Sequence, residues 1–425
     1  MAILIIVAFF VLFILGFPVV LSIAIPGITY ILWNHITIDL IAQRLHYALN
    51  SFPLLAVPIF ILAGNLMNST GITKRIFKFA DVLVGRMYGG LAQVNIFASL
   101  IFSGMSGSAL ADIGGLGQIE LEAMREKGFS NSFSSAVTIA SATVGPIFPP
   151  SIPLVIYGAV TGTSVVKLLI AGIIPAIIAV VMMMILTVFL SIIRKYPRAE
   201  RWPRLSEIFR AFFPALPALM APVMLVLGML TGIFTPTEAA SITVIYIIFI
   251  SCVIYKEFTF KGLINSAFET VKMTAVIMII ISVASLFSWI LAIGQVPGMF
   301  SKFILNFSQN PYILLLIINI ILLIVGMFLD STTATLLIIP IITPPIVAAG
   351  VDPVHLGIVV IFNLMIGLMT PPMGLSLFLI SDIAKVPMSS VLHDVYPYFI
   401  ILIITLIIIT YIPQLTLWIP NLLIK

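Results

Sequence analysis

The chain has 425 residues, of which 61% are hydrophobic and only 8% are Asp, Glu, Lys or Arg, and its mean hydropathy is +1.27. Apolar runs long enough to cross a bilayer recur along its length, which excludes a water-soluble domain; the net charge of +5 reads as basic cytoplasmic loops of a polytopic membrane protein, not as affinity for nucleic acid. The single cysteine, Cys252, lies in an apolar run, so a disulfide framework and a thiolate metal site are excluded too.

The first run, Met1 to Leu15, has no charged leader and no cleavage site of small residues, and it reads as a retained helix. Around residues 36–50, Ile38, Ile41, Leu45, Ala48 and Leu49 recur at helical spacing against Asp39, Gln43, Arg44 and His46. That stretch is too polar to span and apolar enough to lie in the membrane interface. Lys74, Arg75, Lys78 and Arg86 place the next loop in the cytoplasm. Residues 89–127 are interrupted at Ser103 to Ser108 by small polar residues with Gly104 and Gly107, the pattern of a re-entrant hairpin with its tip there. Glu120, Glu122, Arg125, Glu126 and Lys127 read as its solvated exit. Residues 131–165 then carry the hexapeptide Gly-x-x-x-Pro-Pro at Gly145 to Pro150. Paired prolines remove two backbone donors and clash with the preceding turn, so this helix is broken.

The densest charge, residues 194–210, includes Arg194, Lys195, Arg198, Arg201, Arg204 and Arg210 against Glu200 and Glu207. It is read as a cytoplasmic linker between a first half, 1–193, and a second, 211–425. In the second half, Thr235-Pro236-Thr237-Glu238 marks a helix start with an acidic first turn. A second amphipathic stretch, 258–272, sets Phe260, Leu263, Ile264, Ala267, Phe268 and Val271 against Lys261, Asn265, Glu269 and Lys272. A second hairpin is expected over 311–350 with its tip at Asp330 to Thr333, and a second broken helix over 353–384, where Gly-x-x-x-Pro-Pro recurs at Gly367 to Pro372.

One offset of 222 positions pairs Gly104-Met105 with Gly326-Met327, Gly128 with Gly350, Gly145 with Gly367, Pro149-Pro150 with Pro371-Pro372, and Pro175 with Pro397. A single gapless register of that length signals duplication. Counting spans from the basic linker sends the two hairpins in from opposite sides. The expected fold is therefore an all-α polytopic inverted repeat with two re-entrant hairpins, two broken helices and two interfacial arm helices.

Broken backbone at membrane depth is tolerated where it is buried in protein or lines a cavity. Half-helix N-termini favour an anion and exposed carbonyls a cation, so an anion site beside a small cation is expected. The first cation site draws on Ser106 and Ser108 with the carbonyls of Gly145, Phe148 and Pro150; the second on Asp330 and Thr332 with Gly326, Gly367, Met369 and Thr370. For the anion the candidates are Ser106, Ser331, Thr332 and Thr333 with Pro149 and Pro371. Hard oxygen donors without Cys or His suit a group I or II cation. Asp330 has Ser108 as its repeat partner, so its charge is no symmetric structural feature. Two other classes remain open. An intramembrane aspartyl hydrolase would use Asp112 and Asp330, although these are not repeat equivalents and no Gly-x-Gly-Asp accompanies either; a passive channel would not need the duplicated breaks.

The run Gly104-Met105-Ser106-Gly107-Ser108, the two Gly-x-x-x-Pro-Pro breaks and Thr235-Pro236-Thr237-Glu238-Ala239-Ala240 together resemble the large membrane subunit of tripartite ATP-independent periplasmic (TRAP) transporters, over essentially the whole chain. The resemblance implies a sodium-driven importer of small carboxylates, of the sialic acid or C4-dicarboxylate type, in the bacterial inner membrane. It implies an elevator mechanism, in which hairpins and broken helices move against a scaffold joined by the amphipathic arms. It puts Na+ at the two tip-and-break pairs. It also implies a periplasmic substrate-binding protein and a small membrane subunit, expected as a separate chain because this one opens directly on the first large-subunit helix.

Overall fold

The computed structural model describes residues 2–196 and 203–424, apart from the side chains of residues 2, 3 and 103–106, and the regular elements among them are all helical. Arg198, Glu200 and Arg201 of the basic segment, and the side chains of Ser103, Met105 and Ser106, lie outside what is described. The first half runs through α1 (Ala2–Ile14), α2 (Val19–Trp33), α3 (Asp39–Leu49), α4 (Ala56–Ser69), α5 (Ile72–Val84), α6 (Gly90–Ser106), α7 (Ala109–Gly114), α8 (Leu116–Glu126), α9 (Asn131–Ala142), α10 (Ile152–Thr161), α11 (Val165–Ala171) and α12 (Ile173–Ile193). The second comprises α13 (Leu205–Leu230), α14 (Pro236–Phe249), α15 (Phe260–Ile293), α16 (Val296–Phe307), α17 (Pro311–Gly326), α18 (Ser331–Ala348), α19 (Pro353–Leu368), α20 (Leu375–Ala384), α21 (Met388–Tyr411) and α22 (Gln414–Leu423). Among the described residues seven helical stretches are long and apolar enough to cross a membrane, the longest being Phe260–Ile293, so this is a multi-pass membrane protein.

Local chemistry explains where helices start and stop. Ser130 caps α9, Ser151 caps α10, Asp330 caps α18 and Asp352 caps α19, each side chain accepting from backbone N–H groups of the first turn. Thr235 and Glu238 form a reciprocal capping box at the start of α14, with Thr235 N–H donating to Glu238 Oε2 at 2.8 Å. This gives the Thr-Pro-Thr-Glu run a structural task.

The structure departs from the sequence expectations in three places. The amphipathic stretch 258–272 is no separate arm: it is the beginning of α15, which runs unbroken for 34 residues, roughly 50 Å at about 1.5 Å per residue. Its counterpart α3 does stop: Leu49 stands four residues before Pro53, whose ring would clash with the Leu49 carbonyl in a continued helix, and Ser51 is extended at φ −73°, ψ 116°. The charged segment is shorter than 194–210, since α13 begins at Leu205 and takes in Glu207 and Arg210. Finally, Glu120 is no part of a solvated exit: it is 1% exposed on α8, and burial beside Asp112 opposes its ionisation.

Packing gathers the helices into two sets, which also touch each other through α5 on α6 and α15 on α18. The arm helix α3 lies on α15, α4 on α14 and α15, and α13 on α5 and α14. In the other set α6 packs on α9 and α17 on α19 within their halves, while α10 on α18 and α20 on α7 join the halves reciprocally. An ion pair between Arg194 and Asp394 at 2.7 Å, with Arg194 over the Phe133 ring, ties the end of α12 to α21 within this second group.

Candidate functional site at the hairpin tips

Each hairpin tip meets the break of its own half through backbone. In the first half, Gly107 adopts φ +60°, and a Cβ there would lie 2.9 Å from the Pro150 carbonyl oxygen and 3.1 Å from Ile152 N. Both the conformation and the space therefore demand glycine. In the second, a Cβ on Gly367 would lie 2.5 Å from Gly326 Cα, and one on Gly326 would lie 3.1 Å from Gly367 Cα. The Gly374 N–H donates to the Met327 carbonyl at 3.2 Å and holds tip to break. Gly326 and Gly367 are the repeat equivalents of Gly104 and Gly145, so the sequence repeats the glycine pair whose second copy crosses backbone to backbone.

Buried amides hold the limbs in place. In the first half Asn95 Nδ2 donates to Thr138 Oγ1 at 2.8 Å, and Ser141 Oγ donates to Asn95 Oδ1 at 2.7 Å. In the second, Asn363 Nδ2 donates to Asn319 Oδ1 at 2.7 Å, and Asn319 Nδ2 donates to Thr410 Oγ1 at 3.1 Å. Ser141 and Asn363 are repeat equivalents. We expect Asn363→Leu to strand the buried Asn319 and lower stability by about 1 kcal/mol, within the range of such bonds in membranes. A fall in melting temperature in detergent would report it; an unchanged melt would show the bridge to be idle.

Asp330 turns its carboxylate back onto α18. Oδ2 accepts from Thr332 N–H at 2.9 Å and Thr333 N–H at 3.2 Å, and the Thr333 hydroxyl donates to Oδ1. The N-terminus of α18 thus already carries an anion of the chain itself. Its surroundings favour a cation and oppose a second anion. Thr333, fully buried and bonded to Asp330, is turned away from the opening.

Between the two tips lies a cavity of about 60 Å³, lined by Gly107 and Ser108 of the first tip, Asp330, Ser331 and Thr332 of the second, Pro146 of the first break, and Met365 and Leu368 of α19. Ser108, Asp330, Ser331 and Thr332, drawn from opposite halves, are brought together here. Gly145, Phe148, Pro149 and Pro150 of the first break, and Gly326, Gly367, Met369, Thr370 and Pro371 of the second, do not line it; Met369 and Thr370 are buried, and the Thr370 hydroxyl donates to the Ile366 carbonyl. Ser106 lies next to the tip, with its side chain outside the described residues. Sequence reasoning missed Ile277 of α15, which also lines the cavity and stands in a plain apolar run without a local signal, and Pro146, which its place inside the hexapeptide could have indicated.

The volume equals about two water molecules' share of liquid, and the oxygens are hard, so the cavity fits one small cation with a water and no organic solute. Asp112 does not line it, so Asp112 and Asp330 do not share this cavity.

Residues 6–415 match the family described as the tripartite ATP-independent periplasmic transporter, DctM component. Over 411 residues the chain is 43% identical to the sialic acid TRAP transporter large permease protein SiaM of Vibrio cholerae, covering 96% of this chain and 95% of that protein. It is 34% identical over 395 residues to the C4-dicarboxylate TRAP transporter large permease protein DctM of Pseudomonas aeruginosa, covering 93% and 92%. The crystal structure of the Alcanivorax borkumensis YdaH transporter superposes at a TM-score of 0.64 over 90% of this chain and 87% of that one, at 13% identity, a likeness of fold alone. The SiaM and DctM relatives carry the names of transporter permeases, not of enzymes. With the match spanning nearly its whole length, the chain belongs to the DctM component family of tripartite ATP-independent periplasmic transporters.

Proposed function

We propose that this permease is the large subunit of a sodium-coupled importer in the bacterial inner membrane. Its solute is a small carboxylate of the sialic acid or C4-dicarboxylate type, received from a periplasmic binding protein. A small membrane subunit, as a separate chain, braces it in the bilayer. The observation that carries the reading is the convergence of both hairpin tips on one cavity of hard oxygens beside Asp330, at the scale of one small cation with a water. Na+ sits there, held by Ser108, Thr332 and the Asp330 carboxylate, and a second ion sits where the break at Gly145 to Pro150 meets its tip. The group formed by the hairpins, broken helices, α12 and α21 is the moving body of an elevator. The group of α3, α4, α13, α14 and α15 is its scaffold and arms.

Proteoliposomes containing the permease with its small subunit and binding protein test this. Radiolabelled N-acetylneuraminate or succinate should accumulate against its gradient when sodium is high outside. Equal accumulation with potassium would refute sodium coupling, and equilibration without accumulation would show a channel.

A further inference from the structure

The tip cavity cannot hold an organic solute, yet a larger compartment stands directly beside it. It has a volume of about 460 Å³, in the range of small-molecule sites, and lies between α3, α10, α15 and α18. Its floor is built in register with the tip cavity. Ile152 of α10, Ile277 of α15 and Thr332 of α18 line the lower space, and Ile156, Ile281 and Leu336 line the upper one. On each helix the second residue follows the first by four positions. The two spaces are therefore neighbours along the same helices, offset by about one helical turn, roughly 5 Å.

The walls of the upper compartment carry hydrogen-bonding groups without charge opposition. Asn50 and Ser51 follow α3, Tyr47 lies on it, and Ser285 and Ser288 project from α15; no Asp or Glu is among the lining residues. A cation stands at the edge. Arg44 is one turn before Tyr47 and Ala48 on α3, and its guanidinium lies over the Trp289 indole at 5.0 Å from the ring centre, next to Ser288. Arg44 makes no ion pair among the described residues. Hydroxyls, an amide and an uncommitted guanidinium, without a carboxylate, suit a hydroxylated monocarboxylate or dicarboxylate.

We infer that this upper compartment receives the body of the carboxylate solute, with Arg44, Ser285 and Ser288 as its recognition groups and the tip cavity below reserved for the cation. The inference rests on the transporter reading. It gives coupling a short physical path, because a cation about one turn below the solute attracts the solute's carboxylate at short range in surroundings of low dielectric. It also places recognition between the arm helix and α18, so the solute touches both groups of helices at once.

The test uses the complete reconstituted system with N-acetylneuraminate and succinate as probes. Arg44→Gln and the double variant Ser285→Ala with Ser288→Ala should each raise the half-saturating solute concentration about tenfold, with the half-saturating sodium concentration changed less than twofold. Ala159→Trp, filling the compartment from the half-buried face of α10, should lower uptake at least a hundredfold, while monodispersity and the sodium-induced shift in melting temperature persist. Wild-type kinetics in all of these variants, with the parent protein transporting a probe, would overturn the inference and leave the transporter reading standing. Loss of a copurifying phospholipid from Ala159→Trp, with transport intact, would likewise overturn it and assign the compartment to lipid. Failure of the parent protein to accumulate either probe on a sodium gradient would instead bring down the transporter reading, and the inference with it.

Discussion

Alanine at Gly367 should cost this protein at least tenfold in sodium-dependent uptake. The added methyl group would lie 2.5 Å from Gly326 Cα and 2.9 Å from its carbonyl oxygen, and both obstacles are backbone. No rotamer can relieve that clash, so α17 must move away from the break, and overpacking of this kind costs about 1–3 kcal/mol. The same displacement pulls the second tip off its seat. Gly326→Ala meets its neighbour at 3.1 Å and should be milder. Gly298, on α16 with nothing within 4 Å, should accept alanine without loss and with a small gain in helix stability. Melting temperatures should therefore fall in the order Gly298→Ala, Gly326→Ala, Gly367→Ala, and uptake should follow. Equal behaviour of the three variants would show that the crossing of α17 and the break is not close-packed in the working protein.

Asp330 allows a separation of two roles that its position merges. Asparagine is as good an N-cap as aspartate, so Asp330→Asn should keep the bonds to the Thr332 and Thr333 N–H groups and leave stability nearly unchanged. It removes the charge beside the tip cavity, and the half-saturating sodium concentration should rise at least tenfold. Asp330→Ala removes cap and charge together and should add a loss of about 1 kcal/mol in stability. A thermal melt and a sodium titration of uptake, run on both variants, resolve the matter. Wild-type sodium dependence in Asp330→Asn would reduce this residue to a cap.

These expectations draw unequally on sequence and structure. Where helices stop was legible, because Gly-x-x-x-Pro-Pro acts through steric effects within a few residues. Gly107, too, lay in a run whose small residues announced a turn. The extent of α15 was not legible. Its amphipathic beginning reads like that of α3, and the difference rests on Pro53, which has no counterpart among the residues that follow Val271. Neither was the burial of Glu120, since a charged residue among Glu122, Arg125 and Glu126 gives no sign of which face turns inward. The cavity at the tips gathers residues as far apart in the chain as Gly107, Ile277 and Leu368. Only tertiary packing places such residues together. Sequence assigned the anion to helix ends by their dipoles, and it could not foresee that Asp330 would occupy that end of α18 itself.

The unequal arms have a mechanical consequence. On the first-half side the chain leaves α3 and passes through Asn50 and Ser51 before resuming as a helix, which is a joint; α15 spans the corresponding distance as one rigid rod. In the elevator proposed above, a displacement of the tips relative to α13 and α14 would flex at Asn50 to Leu55 and swing about α15. The stroke of the proposed elevator would then follow a lopsided arc, even though the sequence that builds it is a doubled one.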